Sequence, residues 1–154
     1  MGKKCIGVIV LLVLVILGGI YKFVFQGSTS QSSDGRIAIH LESGERDLVL
    51  AEMRAFLEGV QLITTGIAED NMQQVVQAAK AVGAAAQGEV PGTLIGKLPI
   101  EFKKLGFDTH QKFDHLAMNA GEFGDKTTAL TELSELMQNC TACHAAYRFE
   151  IAPN

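Results

Sequence analysis

The chain has 154 residues, 47% of them hydrophobic, three cysteines and a formal charge of −4, which is enough for one domain with a real core. Lys3, Lys4 and Lys22 lie in the first 25 residues, where no acid stands, so residues 26–154 carry ten basic and seventeen acidic side chains. So acidic a surface repels nucleic acid and argues against nucleic-acid partners, while the cysteine count fits no disulfide framework. The mean hydropathy of +0.20 is high for a small soluble protein, and the excess is concentrated at the N-terminus.

Ile6 to Phe25 is an apolar run of twenty residues broken by one charge, Lys22. As a helix it measures about 30 Å, the thickness of a bilayer core. Lys3 and Lys4 precede it, and the bias of positive residues toward the cytoplasm keeps the N-terminus inside and exports the rest. A cleaved signal peptide is the rival reading, and the small residues Gly27, Ser28, Thr29 and Ser30 would allow it. The run is long, however, and no A-x-A site stands there, so residues 1–26 are read as a retained transmembrane anchor. Cys5 follows no lipobox-like sequence and is read as a small apolar residue at the membrane edge. Residues 27–42 are expected to be a linker. Its first part, Gly27 to Gly35, is a flexible polar tether. Arg36 to Leu41 alternates, but over too short a span to found a sheet, and reads as an extended lead-in with His40 at the surface.

Residues 43–154 are expected to form an all-α domain. Helix one opens at Ser43 or Glu45 and runs to Ala68 on a stripe containing Leu50, Met53, Leu57 and Val60. Helix two, capped by Asp70, runs to Gln87 before Gly88 and Pro91-Gly92. A short helix is expected from Pro99 to Gly106, and helix three from Thr109 to Phe123, capped by Asp108. Helix four runs from Lys126 to Phe149 with Leu130, Leu133, Met137, Cys140, His144 and Tyr147 on one side. Four amphipathic helices joined by moderate loops argue an antiparallel four-helix bundle.

Near the C-terminus stands Cys140-Thr141-Ala142-Cys143-His144. A C-x-x-C-H pentad reads as covalent attachment of haem c. Two thiols three residues apart each add to one vinyl group of a porphyrin, and the adjacent His144 ligates the iron from one face. A redox dithiol normally opens a helix after a strand, and no such pattern precedes this pentad. A zinc site would want a second ligand pair, and the remaining cysteine is Cys5. No Ser/His/Asp set, phosphate loop or second metal cluster appears, so an enzyme is the least expected class.

The residues Cys140-x-x-Cys143-His144-x-x-Tyr147-Arg148 at the end of the last helix resemble the class II c-type cytochromes, the cytochrome c′ and cytochrome c556 group. The Met-bearing Glu52-Met53-Arg54 and the segment Phe102-Lys-Lys-Leu-Gly106 support the likeness, which spans roughly residues 43–150. It implies one haem within the bundle against helix one, with His144 proximal and Tyr147 and Arg148 close to the ring as an aromatic wall and a propionate partner. In the c556 type a Met from helix one is the sixth ligand, and Met53 is the candidate. In cytochrome c′ an apolar residue closes that face, leaving five-coordinate iron that binds nitric oxide or carbon monoxide. His110 is a further contender for iron or propionate. The expectation is a membrane-tethered periplasmic electron carrier of the bacterial inner membrane with redox protein partners. Alternatives are a gas-binding protein or a haem subunit of a respiratory or photosynthetic complex. Relatives often dimerise through their first two helices.

Overall fold

The computed structural model describes residues 2–88 and 90–152; the side chain of Lys3, one of the cations flanking the apolar run, lies outside the described residues. Helix α1 (Lys3–Ile20) continues through a segment of wider turns, Tyr21–Gln26. The apolar stretch Lys4–Gln26 has 23 residues and none of it is buried in the chain. At 1.5 Å per residue that is about 34 Å, long and apolar enough to cross a membrane.

The stretch that follows is not a loose tether, which corrects the expectation for residues 27–42. Gly27 is buried and holds φ at +67°; a Cβ there would overlap the Lys97 carbonyl oxygen and lie 2.8 Å from both Leu98 C and Pro99 N. Only glycine meets both demands without strain. The next amide, Ser28 N–H, donates to the Lys97 carbonyl at 2.7 Å. Strands β1 (Thr29–Gln31) and β2 (Ile37–Leu41) then pair antiparallel, Thr29 opposite Ile39, across a turn containing Asp34 and Gly35, whose φ is +85°.

A second correction lies at the other end of the chain. The last helix stops at Ala146, and β3 (Tyr147–Ile151) pairs parallel with β2, Ile37 opposite Tyr147 and Ile39 opposite Phe149. The sheet order β1-β2-β3 puts β2 in the centre, so the domain is not purely helical. The local reason is visible in the sequence: Tyr147, Phe149 and Ile151 alternate with Arg148 and Glu150, the period of a strand. Pairing both edges of β2 leaves Ala38, Ile39 and Leu41 fully buried.

The rest is helical. α2 (Ser43–Ala68) starts on a capping box in which Glu42 N–H donates to the Glu45 carboxylate at 3.0 Å. α3 (Met72–Lys80) is capped by Asn71 rather than Asp70; Asn71 Oδ1 accepts from Gln74 N–H at 3.1 Å, while Asp70 takes a left-handed φ of 61°. It ends earlier than its apolar pattern predicts. Ala84–Ala86 form one tight turn, held by Ala84 N–H donating to Asp114 at 3.0 Å. After the short α4 (Gly92–Lys97), α5 (Ile100–Phe123) runs unbroken where two helices were expected. Asp108 does not cap. Its carboxylate instead accepts from Asn139 of α6 (Lys126–Ala146) at 2.7 Å.

α3 packs on α2 and α5, and α6 on α5 and α2. Their shared core includes Ile63, Val75, Phe113, Leu116, Leu133 and Leu136. A second core, under the sheet, holds Ile39, Leu41, Val49, Leu94, Leu98 and Phe102.

Candidate functional site

Where α6 gives way to β3, a cleft of about 300 Å³ opens against α2 and α5. Cys143, His144, Tyr147 and Arg148 line one side, and Met53 and Leu50 of α2 face them, with Phe102 of α5 between. Met53 and Cys143 both pack on the core beneath the sheet. Phe102 meets Tyr147 and Phe149 edge-on, with ring centroids 5.4 and 5.7 Å apart, the arrangement aromatic quadrupoles favour. Cys140, one helical turn before Cys143, is half-buried against the other core and does not line the cleft.

Burial pushes both thiols away from ionisation: Cys140 upward, and Cys143, with Cys140 beside it, up to about 11. A redox dithiol works as a low-pKa thiolate, and this pair is tuned the opposite way. Among the described residues no cluster of three or more His, Cys, Asp or Glu side chains could hold a metal ion.

Three arginines, Arg36, Arg46 and Arg148, line the same cleft. Asp34 Oδ2 orders two of them, accepting from Arg36 at 2.7 and 2.9 Å and from Arg148 at 3.2 Å. Its carboxyl is held well below the usual carboxylate range, first by the Arg36 hydrogen bonds. Arg36 also donates at 3.4 Å to the carbonyls of His144 and Tyr147, satisfying acceptors that the end of α6 leaves open. Arg148 Nε lies 3.3 Å from Glu150. Arg46 Nε is buried without a hydrogen-bond partner among the described residues, and its other end sits 3.7 Å from Asp47.

The five predicted residues Met53, Cys143, His144, Tyr147 and Arg148 thus share one cleft. His110 does not. It is buried in a separate cavity with both ring nitrogens engaged: Nδ1 lies 2.8 Å from the Val82 carbonyl and Nε2 3.2 Å from Glu52. Burial works against its charge, but the bonds to Glu52 and to the carbonyls of Val82 and Gly83 outweigh that and raise its pKa. Met118 and Met137 are exposed, and Met72 packs in the helical core. Sequence reasoning missed Arg36, Arg46 and Phe149, and the role of Phe102 as a wall. The two arginines stand about a hundred residues before the pentad, and no local pattern links them to it.

As a donor set, a cysteine sulfur, an imidazole and a Met thioether suit a haem iron and its covalent link, and three guanidiniums suit a pair of propionates. These residues fit the group that the pentad implies at one sulfur, Cys143, while Cys140 stands against the helical core outside the cleft. No family model, curated protein or solved structure matches the chain.

Proposed function

We propose that the chain is a membrane-tethered monohaem c-type cytochrome that carries electrons in the periplasm of a bacterium. Cys140 and Cys143 hold haem c covalently, His144 is the proximal iron ligand and Met53 the distal one. The single observation behind the reading is that Met53, 87 residues before the pentad, lines one cleft with Cys143 and His144. Bound haem supplies one-electron exchange between ferric and ferrous iron. The chain's own residues do the rest. Tyr147, Phe102 and Phe149 make an apolar wall that limits water. Arg36, Arg46 and Arg148 offset propionate charge, and Asp34 keeps two of them in place. A Met thioether opposite imidazole raises the potential and closes the sixth position, which suits a carrier.

The helical part of the domain is read as an antiparallel four-helix bundle of the class II cytochrome type, with α2, α3, α5 and α6 as its members; their mutual packing supports this. Lys4 ahead of the apolar helix supports a cytoplasmic N-terminus. The tether would keep the domain near membrane-bound redox partners, which raises effective concentration without new contacts.

The test is acid–acetone extraction followed by a pyridine haemochrome spectrum of the full chain, made with a periplasmic haem-attachment system. Colour that stays with the polypeptide is expected, and colour that extracts overturns covalent attachment. In the intact protein a low-spin spectrum insensitive to carbon monoxide is expected, turning high-spin and gas-sensitive in Met53→Ala. A native high-spin spectrum that shifts with carbon monoxide would instead favour the five-coordinate, gas-binding reading.

A further inference from the structure

A second cavity, of about 320 Å³, lies between α2, α4 and α5 on the other side of Phe102, which lines both. Its walls are largely apolar, with Val82, Val90, Leu94, Leu98 and Phe107 among them. Into this lining project Glu52 and His110, joined at 3.2 Å. His110 Nδ1 is fixed by two backbone carbonyls, at 2.8 and 3.2 Å. Glu52 spends one carboxylate oxygen on His110, and its side chain is 42% exposed. The other oxygen has no protein donor among the described residues and is free to accept from a hydroxyl.

The cavity adjoins the end of the anchor. Lys103, at its rim, donates to the Val24 carbonyl at 3.1 Å and to the Ile95 carbonyl at 3.3 Å. A Cβ on Gly96 of α4 would touch the Phe23 ring at 3.9 Å. The walls formed by α4 and α5 are therefore docked on the last turns of the apolar helix, where it would leave a bilayer.

We propose that this cavity binds a neutral, lipid-soluble phenol or hydroquinone: one aromatic ring with an alkyl tail, its hydroxyl donating to Glu52. The volume, at the low end of small-ligand pockets, fits a single ring with a short substituent. The Glu52 carboxylate disfavours a fatty-acid carboxylate at the same place. A carboxylate acceptor in a largely apolar chamber selects a hydroxyl over a plain hydrocarbon. Entry from the membrane needs no passage through water, because the chamber abuts the anchor. Binding here requires nothing of Cys140, Cys143 or His144. If they do hold haem, the bound ring would lie against Phe102, the wall of the haem cleft.

The full chain in lipid nanodiscs, titrated calorimetrically against empty discs, tests this with 4-octylphenol, octylbenzene and decanoate. The phenol should bind at least about tenfold more tightly than octylbenzene, the factor one hydrogen bond to a charged acceptor supplies, and decanoate more weakly than the phenol. Glu52→Ala should bring the phenol down to the hydrocarbon's affinity. Ala55→Phe should abolish saturable binding of both by filling the chamber; Ala55 is exposed on α2 and lines the cavity, so the fold tolerates the change, verified by an unaltered melting curve. Equal binding of phenol and hydrocarbon, preference for decanoate, or indifference to either substitution overturns the proposal.

Discussion

Replacing Ile39 by Ala tests whether the segment before α2 is part of the fold or a leash. Ile39 is fully buried at the centre of β2, opposite Thr29 on one side and Phe149 on the other. It packs with Leu41, Val49, Leu94 and Phe102 in the core under the sheet. The substitution removes three carbons, worth roughly 2.5 kcal/mol in transfer at about 0.8 kcal/mol each. The cavity left behind raises the total to about 3–4 kcal/mol. For a domain of this size each kcal/mol moves the midpoint by about 3–5 °C, so thermal unfolding followed by circular dichroism should shift down by roughly 10–15 °C. Leu57→Ala is the control: Leu57 is 69% exposed on α2 and should change stability by no more than about 0.5 kcal/mol. Both are measured on the full chain in detergent under identical conditions. If Ile39→Ala shifts the midpoint no further than Leu57→Ala, β2 is not packed as described and residues 27–42 are the flexible connection their composition implies.

Three further outcomes are expected. Gly27→Ala forces a residue with a Cβ into φ +67° against the Lys97 carbonyl; the strain, about 1–3 kcal/mol, should undock the end of the apolar helix and speed tryptic cleavage at Arg36 roughly tenfold or more, and an unchanged digestion rate would refute that packing. His110 has a raised pKa in the fold, so its stabilisation is fully present below its ordinary value of about 6.5 and is lost as pH rises through the folded value. Stability by urea titration should therefore fall from pH 6 to pH 9, by an amount on the order of 1 kcal/mol because Glu52 is partly solvated, and His110→Gln should flatten that part of the profile. Asp125 caps α6 by accepting from Thr128 N–H at 2.8 Å; Asp125→Ala should cost about 1 kcal/mol in the same titration, and no loss would mean the cap is idle.

Several elements were legible because their causes are local. The apolar run from Ile6, the helix from Ser43 to Ala68 and the Cys-x-x-Cys-His pentad each lie within one stretch of chain, although Leu57, placed on the inward stripe, is 69% exposed. The misreadings share one character. Tyr147 to Ile151 has a clean strand alternation, yet it follows a strong helix without a break, so continuation was the simpler expectation. Its partner, Ile37 to Leu41, is about 110 residues away and looked too short to stand alone. Gly106 and Asp108 resemble a helix end and a cap, but burial of Phe102 on one side and Phe113 on the other carries α5 straight through them.

The sequence by itself determined that an apolar helix leads the chain, that amphipathic helices follow and that two thiols and an imidazole sit together near its end. Spacing along one helix or one pentad is set by covalent geometry, and it needs no distant partner. Only the tertiary structure decided that Met53 lines the cleft of Cys143 and His144, that Arg36 and Arg46 join it, and that His110 belongs to a different chamber. Those juxtapositions come from the parallel pairing of β2 with β3 and the packing of α2 beneath it. Contacts between segments so far apart in the chain are selected by the burial that the whole fold achieves, which no single stretch of residues encodes.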